Sequence, residues 1–138
     1  MKIKKESPKI ITPTKGHPTD AGYDIYSTEA FVLPPGAISA RINLGVGFEV
    51  PKGYVGIISE RSSQGKKGIS TVGNIVDHGY TGNVHVTLIN NSQESYIVNI
   101  GDRICQIYFS AILMEELEEV ESFEATERGE GAHGSTGV

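Results

Sequence analysis

At 138 residues, with one cysteine and a formal net charge of −5, the chain has the length of a single domain. It excludes an intrachain disulfide framework and argues against a nucleic-acid-coating surface. No apolar run reaches the roughly 18 residues of a membrane-spanning helix and no N-terminal stretch resembles a signal peptide, so a reducing cytosol (the host's, if the source is viral) is the expected compartment.

In chain order, the first unusual stretch is "AGYDIYS" at 21–27. Turn signals then recur at short intervals: "PPG" at 34–36, "PKGY" at 51–54, "KKG" at 66–68, "NNS" at 90–92 and "IGD" at 100–102. Between them lie short β-rich runs. "YVGIIS" (54–59), "NVHVTLIN" (83–90), "SYIVNI" (95–100) and "DRICQIYF" (102–109) are the clearest. The second alternates, with Val84, Val86 and Leu88 on one face and His85, Thr87 and Ile89 on the other. Short, evenly spaced strands predict an all-β sandwich, jelly roll or barrel. "ILMEELEEVESF" (112–123) departs from this pattern. Leu113, Leu117 and Val120 recur at helical spacing, and Glu115, Glu116, Glu118 and Glu119 read as a solvated face.

Several chemistries are absent. His17, His78, His85, His133 and the lone Cys105 do not make a zinc-ligand spacing. The glycine-rich tail has no lysine placed as in a P-loop, and there is no G-x-S-x-G elbow. Polar residues that a core would not choose gather instead in five clusters: "AGYDIYS", "SERSSQGKKG" (59–68), "GNIVDHGYTG" (73–82), "GDRICQIYF" (101–109) and "RGEGAHGSTGV" (128–138). Each alone reads as a turn, a surface charge pair or a frayed terminus.

In this order and spacing the five clusters closely resemble the five motifs of the trimeric dUTPase family, over residues 19–138. The resemblance implies a distorted jelly-roll or barrel-like all-β domain at 1–124, with a strand extended near 112–120 in place of the local helix, and a flexible C-terminal arm at 125–138 that closes a neighbouring subunit's site in a homotrimer. It implies hydrolysis of dUTP to dUMP and pyrophosphate, which keeps uracil out of DNA and supplies dUMP for dTMP synthesis. Asp77 takes the position of the base that orients and deprotonates the attacking water. Tyr80 takes that of the ring under the deoxyribose that leaves no room for a 2′-hydroxyl. Thr71, Asn74, Ile75, Val76 and His85 would line a uracil slot read by backbone groups, with no space for thymine's methyl. Arg61, Ser62, Ser63 and Gln106 would meet the phosphates. Arg128, Gly134, Ser135 and Thr136 would close over them from the arm, and His133 would cap the base. Mg²⁺ would bind chiefly through the triphosphate, with Asp24 touching only its water shell. Asp102 and Arg103 are expected to form a turn and an ion pair.

The sequence departs from the family pattern in places. His133 stands where a Phe usually stacks on uracil, so weaker capping is expected. Glu60 replaces a common Pro, with Lys66 or Lys67 as its expected partner. Asn74 stands at a common Gly position, and Thr81 where Arg is frequent. The related dCTP deaminases keep a Glu ten residues after the hairpin Asp, whereas here that position is Thr87. Some relatives bind regulatory proteins, which leaves a protein-binding role open beside catalysis.

Overall fold

The structure, a computed structural model, describes residues 1–39 and 41–129. Eleven strands and one helical turn follow in order: β1 (Ile3–Lys5), β2 (Tyr23–Tyr26), β3 (Phe31–Leu33), β4 (Ile42–Asn43), β5 (Val46–Phe48), β6 (Tyr54–Ser59), α1 (Ser62–Gly65), β7 (Ile69–Val72), β8 (Ile75–Val76), β9 (His85–Asn90), β10 (Tyr96–Val98) and β11 (Arg103–Ala111). Their pairings are antiparallel, as expected of an all-β, jelly-roll-like fold. A four-stranded sheet, β2-β11-β6-β8, and a three-stranded sheet, β4-β9-β7, carry the polar clusters; β1-β5 and β3-β10 are two-stranded ribbons.

Alternation sets which faces meet. Val86 and Leu88 of β9 point inward with Ile42 of β4, Ile58 of β6 and Ile104 and Ile107 of β11, forming one apolar core. Asn90 ends β9 fully buried, yet its amide is satisfied. Nδ2 donates to the carbonyls of Leu33 and Glu94 at 2.8 Å each, and Oδ1 accepts from the Ser92 amide and hydroxyl. It therefore pins the "NNS" turn to β3. The other turns close as the sequence predicts. Gly36, Gly53, Gly68 and Gly101 sit at positive φ, where a Cβ would strain the backbone.

The helix that local periodicity suggests at 112–123 does not form, and the strand does not run on to residue 120 either. Regular structure stops at Ala111. A 12-residue helix is marginal in water unless its stripe is buried, and the described residues leave the stripe largely uncovered: Leu117 and Phe123 are 102% and 92% exposed. No helix among the described residues is long and apolar enough to cross a membrane.

Candidate active site

One candidate half-site is built on the four-stranded sheet and a second between that sheet and the three-stranded one. The first is anionic at its centre. Asp24 of β2 is buried between two guanidinium groups, accepting from Arg61 Nε at 2.6 Å and from Arg103 at 3.0 Å. A bulge in β11 makes this arrangement possible. In a regular strand, residues three apart face opposite sides, so Arg103 and Gln106 would diverge. The register slips between Arg103 and Cys105, which lets Gln106 lie opposite Asp24 while Arg103 reaches the same carboxylate. The expected Asp102–Arg103 ion pair is thus not made. Asp102 instead accepts from the Asn99 amide at 2.8 Å and closes the "IGD" turn.

Gln106 lies over Gly22 and donates to the Glu60 carbonyl at 3.0 Å. A Cβ at residue 22 would overlap its side-chain amide and swing it off the Glu60 carbonyl, so the glycine in "AGYD" leaves Gln106 in place. Past β6 the chain turns through Arg61 into α1, exposing Ser62 and Ser63. Buried Gln64 holds that turn. It donates to the Tyr96 hydroxyl at 2.9 Å and to the Arg103 carbonyl at 3.3 Å, and accepts from the Arg61 amide. Glu60 does not pair with Lys66 or Lys67 among the described residues; it accepts from the Thr71 hydroxyl at 3.3 Å.

The second half-site is a cleft of about 160 Å³ between β8 and the start of β9. Ile75, Val76, Tyr80 and His85 line it, with Gly73, Ile58, Asn83, Val84 and Arg41. Drug-sized pockets run to ~300–1,000 Å³, so this volume suits a ring rather than a whole nucleotide. Gly79, at φ 86°, turns the loop back. The Tyr80 ring then lies across Gly82, where any Cβ would overlap it, and its hydroxyl donates to the Asn83 carbonyl at 2.8 Å. His78 Nδ1 donates to the Val50 carbonyl at 2.7 Å and ties the loop to the sheet. Asp77 is exposed, one residue beyond the cleft wall at Val76. Thr71 and Asn74 stand outside the lining. Asn74 Nδ2 donates to Thr71 Oγ1 at 2.9 Å, and its buried Oδ1 has no partner.

The two half-sites do not meet within one chain. Antiparallel pairing sets Ile75 opposite Ile57 and Val76 opposite Gly56, so Asp77 falls level with Val55, while Gln106 pairs with Ser59. That offset is four residues along the strands and two strands across. At ~3.3 Å per residue and ~4.8 Å per strand, the separation is roughly 16 Å, too far for both groups to share one phosphorus. Arg128 is exposed near the end of the described chain, and His133, Gly134, Ser135 and Thr136 lie outside the described residues.

A dUTPase family profile matches residues 8–137. The chain is 40% identical to the deoxyuridine 5′-triphosphate nucleotidohydrolases of rabbitpox virus (strain Utrecht) and vaccinia virus (strain Copenhagen), covering all of this chain and 93% of each relative. It belongs to the dUTPase family. Among solved dUTPases, a point mutant of that from Staphylococcus bacteriophage 80alpha, with dUpNHpp, superposes with a TM-score of 0.90 at 32% identity, covering 99% of this chain and 98% of that one. A mutant dUTPase from phage phi11 of S. aureus, described with a structural Mg(II) ion, superposes at 0.81 with 30% identity, covering 90% of this chain and 98% of that one. Sequence reasoning about this dUTPase missed Gln64, His78 and Arg41. Only Gln64 left a trace, three residues after the residue that starts the turn, at capping-box spacing.

Proposed function

We propose that this chain hydrolyses dUTP to dUMP and pyrophosphate at sites completed between copies of a homotrimer. The observation that carries the reading is the ring-sized cleft with an exposed carboxylate one residue past its wall. Asp77 has no ion pair among the described residues, so its oxygens are available to orient a water and accept its proton. The water attacks the α-phosphorus in line, the bond to the bridging oxygen breaks, and pyrophosphate leaves. Tyr80, braced on Gly82, closes the sugar side against a 2′-hydroxyl. Backbone of β8 and β9 reads the uracil edge.

Arg61, Ser62, Ser63 and Gln106 receive the phosphates, and Asp24 keeps the Arg61 guanidinium aimed. The separation of the half-sites supports a second copy as the source of these groups. The uncovered apolar side chains between Ile112 and Phe123 support an arm that leaves its own subunit for a neighbour. In this reading the arm at 125–138 closes the site, with Arg128, Gly134, Ser135 and Thr136 on the phosphates and His133 over the base.

The donors present fit a magnesium ion carried by the substrate. Asp24, already bonded to two arginines, has lone pairs left for a water but not for a cage. The ion would supply charge neutralisation of the triphosphate to a chain of net charge −5. The test is pyrophosphate release from dUTP, UTP, dTTP and dCTP with and without Mg²⁺. Release from dUTP alone, stimulated by Mg²⁺, is expected. An intact dUTP pool after hours with magnesium overturns the reading.

A further inference from the structure

We propose that Arg41, acting through His85, is a positioning residue that makes the base slot prefer uracil over cytosine; the inference rests on the dUTP reading above. It starts from strand register. Ile42 lies opposite Val86 and Asn43 opposite His85. Ile42 and Val86 are each 2% exposed and point into the core, so Arg41 and His85 occupy the other face as diagonal neighbours. Both line the 160 Å³ cleft.

The contact between them has one chemical sense. Arg41 Nη2 lies 3.1 Å from His85 Nδ1. A guanidinium only donates, so Nδ1 accepts and the ring proton sits on Nε2. The other polar side chains of the lining are engaged elsewhere. The Tyr80 hydroxyl donates to the Asn83 carbonyl, and Asn83 Nδ2 donates to Glu6 at 3.0 Å. Asn83 keeps one further amide N–H, and the Arg41–His85 pair is the cationic, oriented source of N–H donors among these lining side chains. Uracil presents carbonyl oxygens on both sides of its ring N–H, whereas cytosine replaces one of them with an amino donor. A wall held in the donor form accepts the first and opposes the second, adding side-chain discrimination to the backbone reading.

The experiment measures kcat and KM for dUTP and dCTP in the full-length wild type, Arg41→Ala, Arg41→Lys, His85→Ala and the double variant, and follows His85 by ¹⁵N NMR. Arg41→Ala should raise KM for dUTP about three- to tenfold, the worth of one hydrogen bond, with kcat nearly unchanged. Its dUTP-over-dCTP preference should fall by a similar factor. The His85 spectrum should change from one tautomer to a mixture. Arg41→Lys should restore part of both, and the double variant should be no worse than His85→Ala. Unchanged KM and preference in Arg41→Ala, or additive losses in the double variant, overturn the proposal. If the wild type leaves dUTP intact, the functional reading fails by itself. The pair is then judged by calorimetric binding of dUMP against dCMP, where equal affinities in wild type and Arg41→Ala would sink it.

Discussion

Asp77 and Asp24 are both acidic, but their surroundings give them different work. Asp77 is exposed and unpaired in the described chain, and Asp77→Asn should keep nucleotide binding while turnover falls by ~10²–10⁴; parallel calorimetry and pyrophosphate assays check this. Asp24 is enclosed by two arginines. Asp24→Asn leaves both cations undercompensated, so unfolding should cost roughly 2–3 kcal/mol less. That is below the ~3–5 kcal/mol of a fully buried pair, because Arg103 is half exposed. Urea denaturation reads it, and an unchanged midpoint would refute the structural role. Cys105 gives a pH-dependent test. Burial, and secondarily the Asp24 charge, push its thiol from 9.0 up to about 12. A raised pKa keeps the unreactive thiol form well past pH 9, so a disulfide reagent at pH 8–9 should label only unfolded protein. Prompt labelling of the folded chain would contradict the packing around β11.

At the scale of elements, the glycines in two motifs are steric permissions. Gly22 makes room for Gln106, and Gly82 for the Tyr80 ring. Gly82→Ala should push Tyr80 out of its hydrogen bond with Asn83 and narrow the preference for dUTP over UTP while leaving the core intact. Comparing kcat/KM for the two nucleotides checks it, and undiminished discrimination would remove Tyr80 as sugar gate. The bulge in β11 matters similarly. Its extra residue is Ile104, and it brings Arg103 to Asp24 without turning Gln106 away. Periodicity along "DRICQIYF" shows a strand. It cannot show a bulge, because a one-residue slip depends on the partner strand.

At the scale of the molecule, strand register sets Asp77 and Gln106 roughly 16 Å apart in one chain, which the proposed reading answers with a site shared between copies. Two variants, Asp77→Asn and Gln106→Ala, each expected to be inactive, should therefore regain activity when co-refolded, since mixed assemblies of the proposed homotrimer would contain sites with both groups intact. Activity no greater than that of either variant alone would mean that each chain works by itself. Light scattering should give the mass of three 14.8 kDa chains.

The sequence by itself marked four of the eleven strands, β6, β9, β10 and β11, together with the turns and the motif residues, because alternation and turn chemistry are local and the motifs are ordered along the chain. It also suggested a helix at 112–123, since periodicity reports a stripe whether or not anything covers it. Only the tertiary structure decided that this segment stays uncovered. Only it decided that Arg103 serves Asp24 rather than Asp102, that Thr71 and Asn74 stand outside the cleft, and that Arg41 lines it. These are contacts between residues up to 79 positions apart, and they are set by register and bulges in a folded sheet, which no local pattern encodes.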